Sequence, residues 1–489
     1  MDNLMDTRLC RLHLRAGLVV LIAFACLVGT AEGANHYIRV GATGTADGSD
    51  WTNAWTGLPT TYIRGDTYYV ADGDYVTAST RYFSTADNGV LTITVKKATI
   101  ADHGGMETGW LDSYGDGQAS FWNTSTNTVL FAIRSGYWII DGQTGGGPGS
   151  WRTGHGFRFT HAARNQSMMD LGQYGTVVPT HVTLSHIYFD PNDDPYDGPR
   201  CISSNLYSIG SERAGVTWTA ATGTLTSAAQ FDAFTYNKVG LQVEIKRGTN
   251  SVPGLYTILT APNTSTLTIS TTAGPGGNAT DWVVCAPYYW EGGAADILID
   301  HCWFTNSYQL IHSGWGTRWT VEYCCLEHNI NTSRYSPSGD LGHGCAFQSY
   351  GAWHVTVRYN LFKDIQGTAI LDMKTAERWI IKGWKVYGNV FYYDDAYINY
   401  GMDGTYPNAF TGMGGEFSTA GDYGDYTADV NDTVFYNNTT INVRSTAAVL
   451  PPDPRPGVWI PAGHNNIIRN NIWYRCDNLR FDNTQTWKN

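Results

Sequence analysis

The chain predicts an all-β solenoid, a stack of short parallel coils, and three observations predict it. A phrase reading apolar-x-apolar-x-x-(Asn or Cys)-x-(aromatic or apolar) recurs down the second half of the 489-residue sequence. Within each copy the apolar residues alternate with a period of two rather than 3.6. The 55 glycines punctuate the chain every nine residues or so, and no long window after the N-terminus has helical periodicity. A strand-like phrase repeated at intervals of one coil is how a solenoid is written, because no copy buries its apolar face alone and stacked copies do.

The copies are Ile297 to Phe304, Trp319 to Leu326, Val355 to Phe362, Trp384 to Phe391 and Asn466 to Trp473, with an earlier copy at Val182 to Phe189 and a degenerate one at Thr433 to Thr440. With the Asn/Cys position as marker, Cys302 to Cys324 is 22 residues, Cys324 to Asn360 is 36, Asn360 to Asn389 is 29, Asn389 to Asn437 is 48 and Asn437 to Asn471 is 34. The shortest interval is one bare coil, and the longer ones are a coil plus a loop. Equivalent Asn side chains in stacked coils hydrogen-bond the turn backbone and one another, so the marker is structural. The Cys and Phe positions of the phrase belong to the core.

From the N-terminus, residues 1–33 read as a secretory signal: Arg8, Arg11 and Arg15, then an apolar run from Ala16 to Val28, then Ala31-Glu32-Gly33. The run is too short to span a bilayer, and no other segment is a candidate. Tyr37 to Gly41, Gly48-Ser-Asp-Trp-Thr-Asn-Ala-Trp55 and Arg64-Gly-Asp-Thr-Tyr-Tyr-Val-Ala-Asp-Gly73 follow. This combination resembles the opening of secreted right-handed parallel β-helix proteins of the pectate-lyase-like group, where such segments form the cap and first coil. With the later repeats the resemblance covers most of 35–205 and 286–480. It implies a right-handed parallel β-helix divided into an N-terminal part, 34–207, and a C-terminal part, 285–489. Between them, 208–284 is Thr-rich, alternating and without the phrase, and it reads as a small inserted β subdomain used for binding, assembly or as a flap. Residues 394–432 and 446–463 read as long loops.

A net charge of −12 with 15% charged and 13% aromatic residues excludes a nucleic-acid binder, which needs a basic surface. Acidic balance with many Tyr and Trp fits an extracellular protein that handles sugars. Seven Cys remain after the signal, an odd number. Cys201 and Cys285 flank the insertion and are placed to close its neck. Export permits disulfides without requiring them.

Chemistry is expected on the strand that precedes each phrase. Ile311 and Phe347 each lie ten residues before the next Val, at Val321 and Val357. This registers His312 with Gln348, then with Asp372 and Lys374, and then with Glu416. If Ile311, Phe347, Leu371 and Phe417 point inward, alternation turns these polar residues outward. The candidate catalytic residues are therefore Lys374, Asp372, Glu416 and His312. Lys374 would be the base that takes the proton α to a uronate carboxyl group. Gln348, Arg358, Arg378 and His343 are candidates for holding an acidic sugar. Asp372 with Glu416, and separately Asp193 with Asp194 in the run Asp190 to Asp197, have the oxygen ligands that suit Ca²⁺. No nucleotide or organic cofactor is expected, and the spacing of the five His between 301 and 354 matches no zinc motif.

The resemblance to β-helix lyases implies a Lys or Arg base beside acidic Ca²⁺ ligands, and Asp372-Met-Lys374 has those residue types. Polygalacturonase-like hydrolases carry a Gly-His-Gly turn, echoed by Gly342-His-Gly344. They also carry an Asp-Asp pair, which does not occur one coil before His343. The expected function is thus a secreted carbohydrate-active protein that cleaves or modifies an acidic polysaccharide, by β-elimination ahead of hydrolysis or epimerisation. The alternative is a non-catalytic surface, adhesin or fibre protein that binds glycan or self-associates through the inserted subdomain.

Overall fold

Each coil consists of short strands joined at sharp corners, and the corner residues dictate the shape. The computed structural model describes residues from 33 to 487, leaving out chiefly 192–199, 205–212, 229–238, 271–281, 288–293, 331–344, 375–379, 395–428, 443–457, 461–464 and shorter stretches. At the corner after the first strand of a coil stand Gln143, His186, His301, Tyr323, Tyr359, Asn437 and Asn470, all left-handed with φ between 51° and 67°. A matching set, among them Tyr137, His181, Asp296, Arg318 and His354, precedes the same strand. Asn, Asp and His are enriched where the backbone must turn through this region, since their short polar side chains tolerate it best.

Between these corners the strands stack in parallel into sheets of twelve, ten and seven strands. One coil contributes Thr320–Glu322 to the first, Cys325–Ile330 to the second and Cys345–Tyr350 to the third. The chain is a right-handed parallel β-helix, the hand that crossovers between parallel strands nearly always take.

The repeated phrase lies in the first two sheets and does what its alternation predicts. Val182, Ile297, Val355 and the next inward residues, Leu184, Ile299 and Val357, are buried. The terminal aromatic of each phrase stacks coil on coil: Phe189 on Phe304 at 4.6 Å and Phe362 on Phe391 at 4.8 Å. Each such ring contributes about 1.5–3 kcal/mol by leaving water.

The marker position forms a continuous hydrogen-bonded ladder inside the first corner. The backbone N–H of Cys324 donates to Asn360 Oδ1 (2.9 Å), that of Asn360 to Asn389 Oδ1 (3.0 Å), that of Asn389 to Asn438 Oδ1 (3.0 Å) and that of Asn438 to Asn471 Oδ1 (2.9 Å). Two corrections follow. In the degenerate phrase the ladder residue is Asn438; Asn437 is the exposed left-handed residue before it. Cys201 is a free, buried thiol, so it makes no crosslink to Cys285.

Six strands between Arg213 and Pro287 pair antiparallel into a closed barrel around Val216, Trp218, Val243, Ile245, Leu267 and Val283. Closure leaves no sheet edge open. The solenoid continues across this excursion, because Arg200–Ser204 pairs directly with Gln309–Gly314 in the seven-stranded sheet.

At the N-terminal end Trp51 is fully buried and donates its indole N–H to Glu107 Oε2 (2.8 Å). Arg64 ties the first coils together, donating to the carbonyls of Gly136 (2.8 Å), Tyr137 (2.9 Å), Ala86 (3.1 Å) and Thr85 and to Ser135 Oγ (3.1 Å). No helix among the described residues is long and apolar enough to cross a membrane.

Candidate functional site

The seven-stranded sheet aligns one polar residue per coil at a single register. Asp170 pairs with Ser203, Ser203 with His312, His312 with Gln348, and Gln348 with Asp372. Their neighbours Met169, Ile202, Ile311, Phe347 and Leu371 form the parallel inward column and are buried in the core. Alternation therefore puts the polar row on the opposite face. At about 4.8 Å per strand the row runs roughly 19 Å from Asp170 to Asp372. Lys374 follows two residues after Asp372 in the same strand, in register with Tyr350.

His312 and Gln348 take the expected register, on the face opposite Ile311 and Phe347. The expectation of an open charged ladder is corrected: His312 is 1% exposed, Gln348 2%, and Asp170 and Ser203 are fully buried. The apolar residues beside them on that face, Met168, Cys201, Leu310, Ala346 and Ile370, are buried as well. The strands from Ser167–Leu171 to Cys345–Tyr350 are thus removed from water over their described residues, which burial of so many apolar residues favours. Polar groups held there need partners. Asp170 accepts from Arg134 Nη2 at 2.6 Å, and Gln309 donates its amide to Gln348 Oε1. Burial also pushes the Cys201 thiol far above its usual pKa, so it stays protonated.

Of the other candidates, only Arg358 has a described side chain. Arg358 lies on the twelve-stranded sheet, where its guanidinium is taken by Glu322 and by the Tyr387 hydroxyl (3.0 Å). The side chains of Asp372 and Lys374 lie outside the described residues, as do Glu416, Arg378, His343, Asp193 and Asp194. Among the described residues no three His, Cys, Asp or Glu side chains come together to hold a metal ion.

The sequence reading missed Asp170 and Ser203. Both carry the signal that the later coils carry, an apolar-polar pair in a short strand (Met169-Asp170, Ile202-Ser203). The fixed ten-residue offset to the next phrase is lost there, to a longer corner in one case and to the barrel in the other.

A second cluster of ionisable groups sits at the first corner. His186 and His301 stack at 5.1 Å, each bonded through Nδ1 to a carboxylate, Asp141 (2.8 Å) and Asp300 (2.6 Å). Burial, ahead of the favourable charge of His301, raises the Asp300 pKa above the usual carboxylate value. Beneath them His155 is buried, and burial, then the charge of His186, lowers its pKa to about 4. Gly146 and Gly147 close over His301 so tightly that an added Cβ would meet its carbonyl or ring. The glycine-rich loop is what permits this approach.

No family model matches the chain, and no curated protein matches it. Among solved structures it is similar to the pectate lyase Pel9A, at 9% identity and a TM-score of 0.46 over 93% of this chain and 79% of that one. It is also similar to an alginate lyase from Paenibacillus sp. str. FPU-7, at 9% identity and a TM-score of 0.34 over 92% and 98%. A third is PfbA, a surface adhesin of Streptococcus pneumoniae, at 9% identity and a TM-score of 0.31 over 85% of each chain. At such identities none of their activities transfers to this chain.

Proposed function

We propose that this protein is an exported carbohydrate-active β-helix that cleaves an acidic polysaccharide by β-elimination at the outer face of the seven-stranded sheet. The observation that supports this reading is the polar row: five consecutive strands of that sheet put Asp170, Ser203, His312, Gln348 and Asp372 at one register. Asp170, Ser203, His312 and Gln348 are buried, and aligning four buried polar residues costs stability that a plain scaffold has no reason to give up. Lys374, two residues beyond Asp372 in the same strand, is the base in this reading. It takes the proton α to the uronate carboxyl group, and the bond to the leaving sugar oxygen breaks as the double bond forms. Export rests on the N-terminal run of residues 1–33.

The test is an activity screen of the chain from residue 34 on uronate-containing polysaccharides, followed by ultraviolet absorbance of new unsaturated ends, with and without chelator. Product from the unaltered chain and none from Lys374→Ala is expected. Undiminished product from Lys374→Ala removes the base from the scheme. The deep burial of His312 and Gln348 favours a second reading, a non-catalytic surface protein that binds glycan or self-associates through the barrel. That reading predicts glycan binding with no product from any substrate.

A further inference from the structure

At its N-terminal end the solenoid has an open mouth. Gly73–Thr77 is the terminal strand of the ten-stranded sheet and Arg81–Phe83 that of the seven-stranded sheet. Among the described residues each pairs on one side only, with Ala119–Asn123 and Phe131–Ile133 respectively, so each presents an edge unpaired by any described strand. The segment from Trp55 to Thr61 comes against these strands. Between them lies a cavity of about 660 Å³ walled by Trp55, Tyr75, Phe121 and Phe131, with Thr60, Asp74 and Arg81 at its polar side. The size is that of ligand sites that take small organic molecules.

The walls are fixed. Tyr75 donates its hydroxyl to the Ala71 carbonyl (2.9 Å), and Trp55 is held by its backbone N–H on the Tyr37 carbonyl (3.0 Å) and by its ring on Tyr68. The polar groups are different. Among the described residues, Asp74, Arg81 and the Trp55 indole N–H make no ion pair or side-chain hydrogen bond. A guanidinium that only donates and a carboxylate that only accepts thus line an aromatic-walled space, each open to solvent and without a protein partner among the described residues. Gly57, also lining it, has nothing within 4 Å of where a Cβ would be.

We propose that this mouth is a binding site for a short acidic oligosaccharide. A sugar ring has an apolar face for Trp55 and Tyr75 and a hydroxyl edge for Asp74 and Thr60, while Arg81 takes a uronate carboxylate with two parallel bonds. A purely anionic ligand would be repelled by Asp74, and a purely apolar one would strand Arg81. The site is separate from the polar row. Six strand intervals of about 4.8 Å, roughly 29 Å, separate the level of Arg81 from that of Asp372. It does not rest on cleavage, and it would hold the chain of a polymer or a released fragment away from the reacting centre.

The test is calorimetric titration of trigalacturonate, cellotriose and a blocked acidic tripeptide into the Lys374→Ala protein, which removes turnover. In that background Gly57→Trp is expected to lower the number of bound trigalacturonates by one per chain. It places its ring in open space, so the thermal midpoint stays unchanged. Arg81→Gln is expected to weaken trigalacturonate at least tenfold and cellotriose less than threefold. Equal stoichiometry with and without Gly57→Trp overturns the site. Equal loss of both sugars in Arg81→Gln overturns its acidic specificity, and tighter binding of the tripeptide than of either sugar assigns the mouth to peptides instead. Cleavage by the Gly57→Trp chain with Lys374 intact reports on the polar row alone, so failure of one site is told apart from failure of the other.

Discussion

Replacing Asn389 by Ala cuts the ladder at its middle, and the structure allows the cost to be worked out. Asn389 is 1% exposed. Its Oδ1 accepts from the backbone N–H and from Nδ2 of Asn360, both at 3.0 Å. Its Nδ2 donates to the carbonyls of Val357 (2.9 Å) and Tyr387 (3.2 Å) and to Asn438 Oδ1 (3.0 Å). The Asn360 side chain keeps its bond to the Val321 carbonyl (2.9 Å), so the group left stranded is the Asn360 backbone N–H. A stranded buried donor costs about 1–3 kcal/mol and each further lost bond about 0.5–1.5 kcal/mol, so a loss of about 3 kcal/mol is expected. Because coils contact only their neighbours, the loss is local. Amide hydrogen exchange should accelerate about a hundredfold in Thr356–Arg358, Lys385–Tyr387 and Val434–Tyr436 and little in the first coils. Asn437→Gly is the control. That residue is exposed, left-handed at φ 53° and outside the ladder, so exchange should change by less than about threefold. Equal effects from the two substitutions, or none from Asn389→Ala, would refute the assignment of the ladder as the element that holds the corners in register.

Arg64→Lys should destabilise the N-terminal coils by about 2–3 kcal/mol in denaturant unfolding, because one ammonium cannot reach all the acceptors that the planar guanidinium spans. His155 titrates at about 4 in the folded chain and near 6.5 when unfolded. The unfolded state therefore binds more protons in between, and stability falls as pH drops through that window, by about 3 kcal/mol at most. His155→Gln should flatten this part of a stability-versus-pH curve, and an unchanged slope would assign it to other groups. The net charge of −12 repels a polyanionic substrate at long range. Activity on such a substrate should rise as salt is increased from about 0.01 to 0.15 M and the screening length falls from about 30 to 8 Å, and a fall would point to direct ion pairing as the dominant attraction.

The stack was legible because it is local and repeated. Val355 and Val357 alternate into the core, Asn360 enters the ladder and Phe362 stacks on Phe391, all within one eight-residue phrase. The slip between Asn437 and Asn438 arose where two Asn are adjacent. Only the backbone register decides which turns the corner and which fills it. The residue just before the marker, occupied by His301, Tyr323 and Tyr359, was passed over as variable although it makes the stacked left-handed corner. The polar row was half legible: alternation gave the face and the register of His312, Gln348 and Asp372. Its burial was not legible, because it depends on what packs against the sheet from outside the repeat. The mouth at Arg81 escaped notice because it exists only where the stack ends, and a periodic reading has no term for an end.

The reading of the polar row as a β-elimination site is tested most directly by the mass and end-group of the products formed from a uronate polysaccharide. Fragments carrying an unsaturated ring at the new non-reducing end, each lighter by one water than a hydrolysis product, and their loss in Lys374→Ala, are the expected result. Fragments with the mass of hydrolysis products, or glycan binding with no fragments from any acidic polysaccharide, would contradict it.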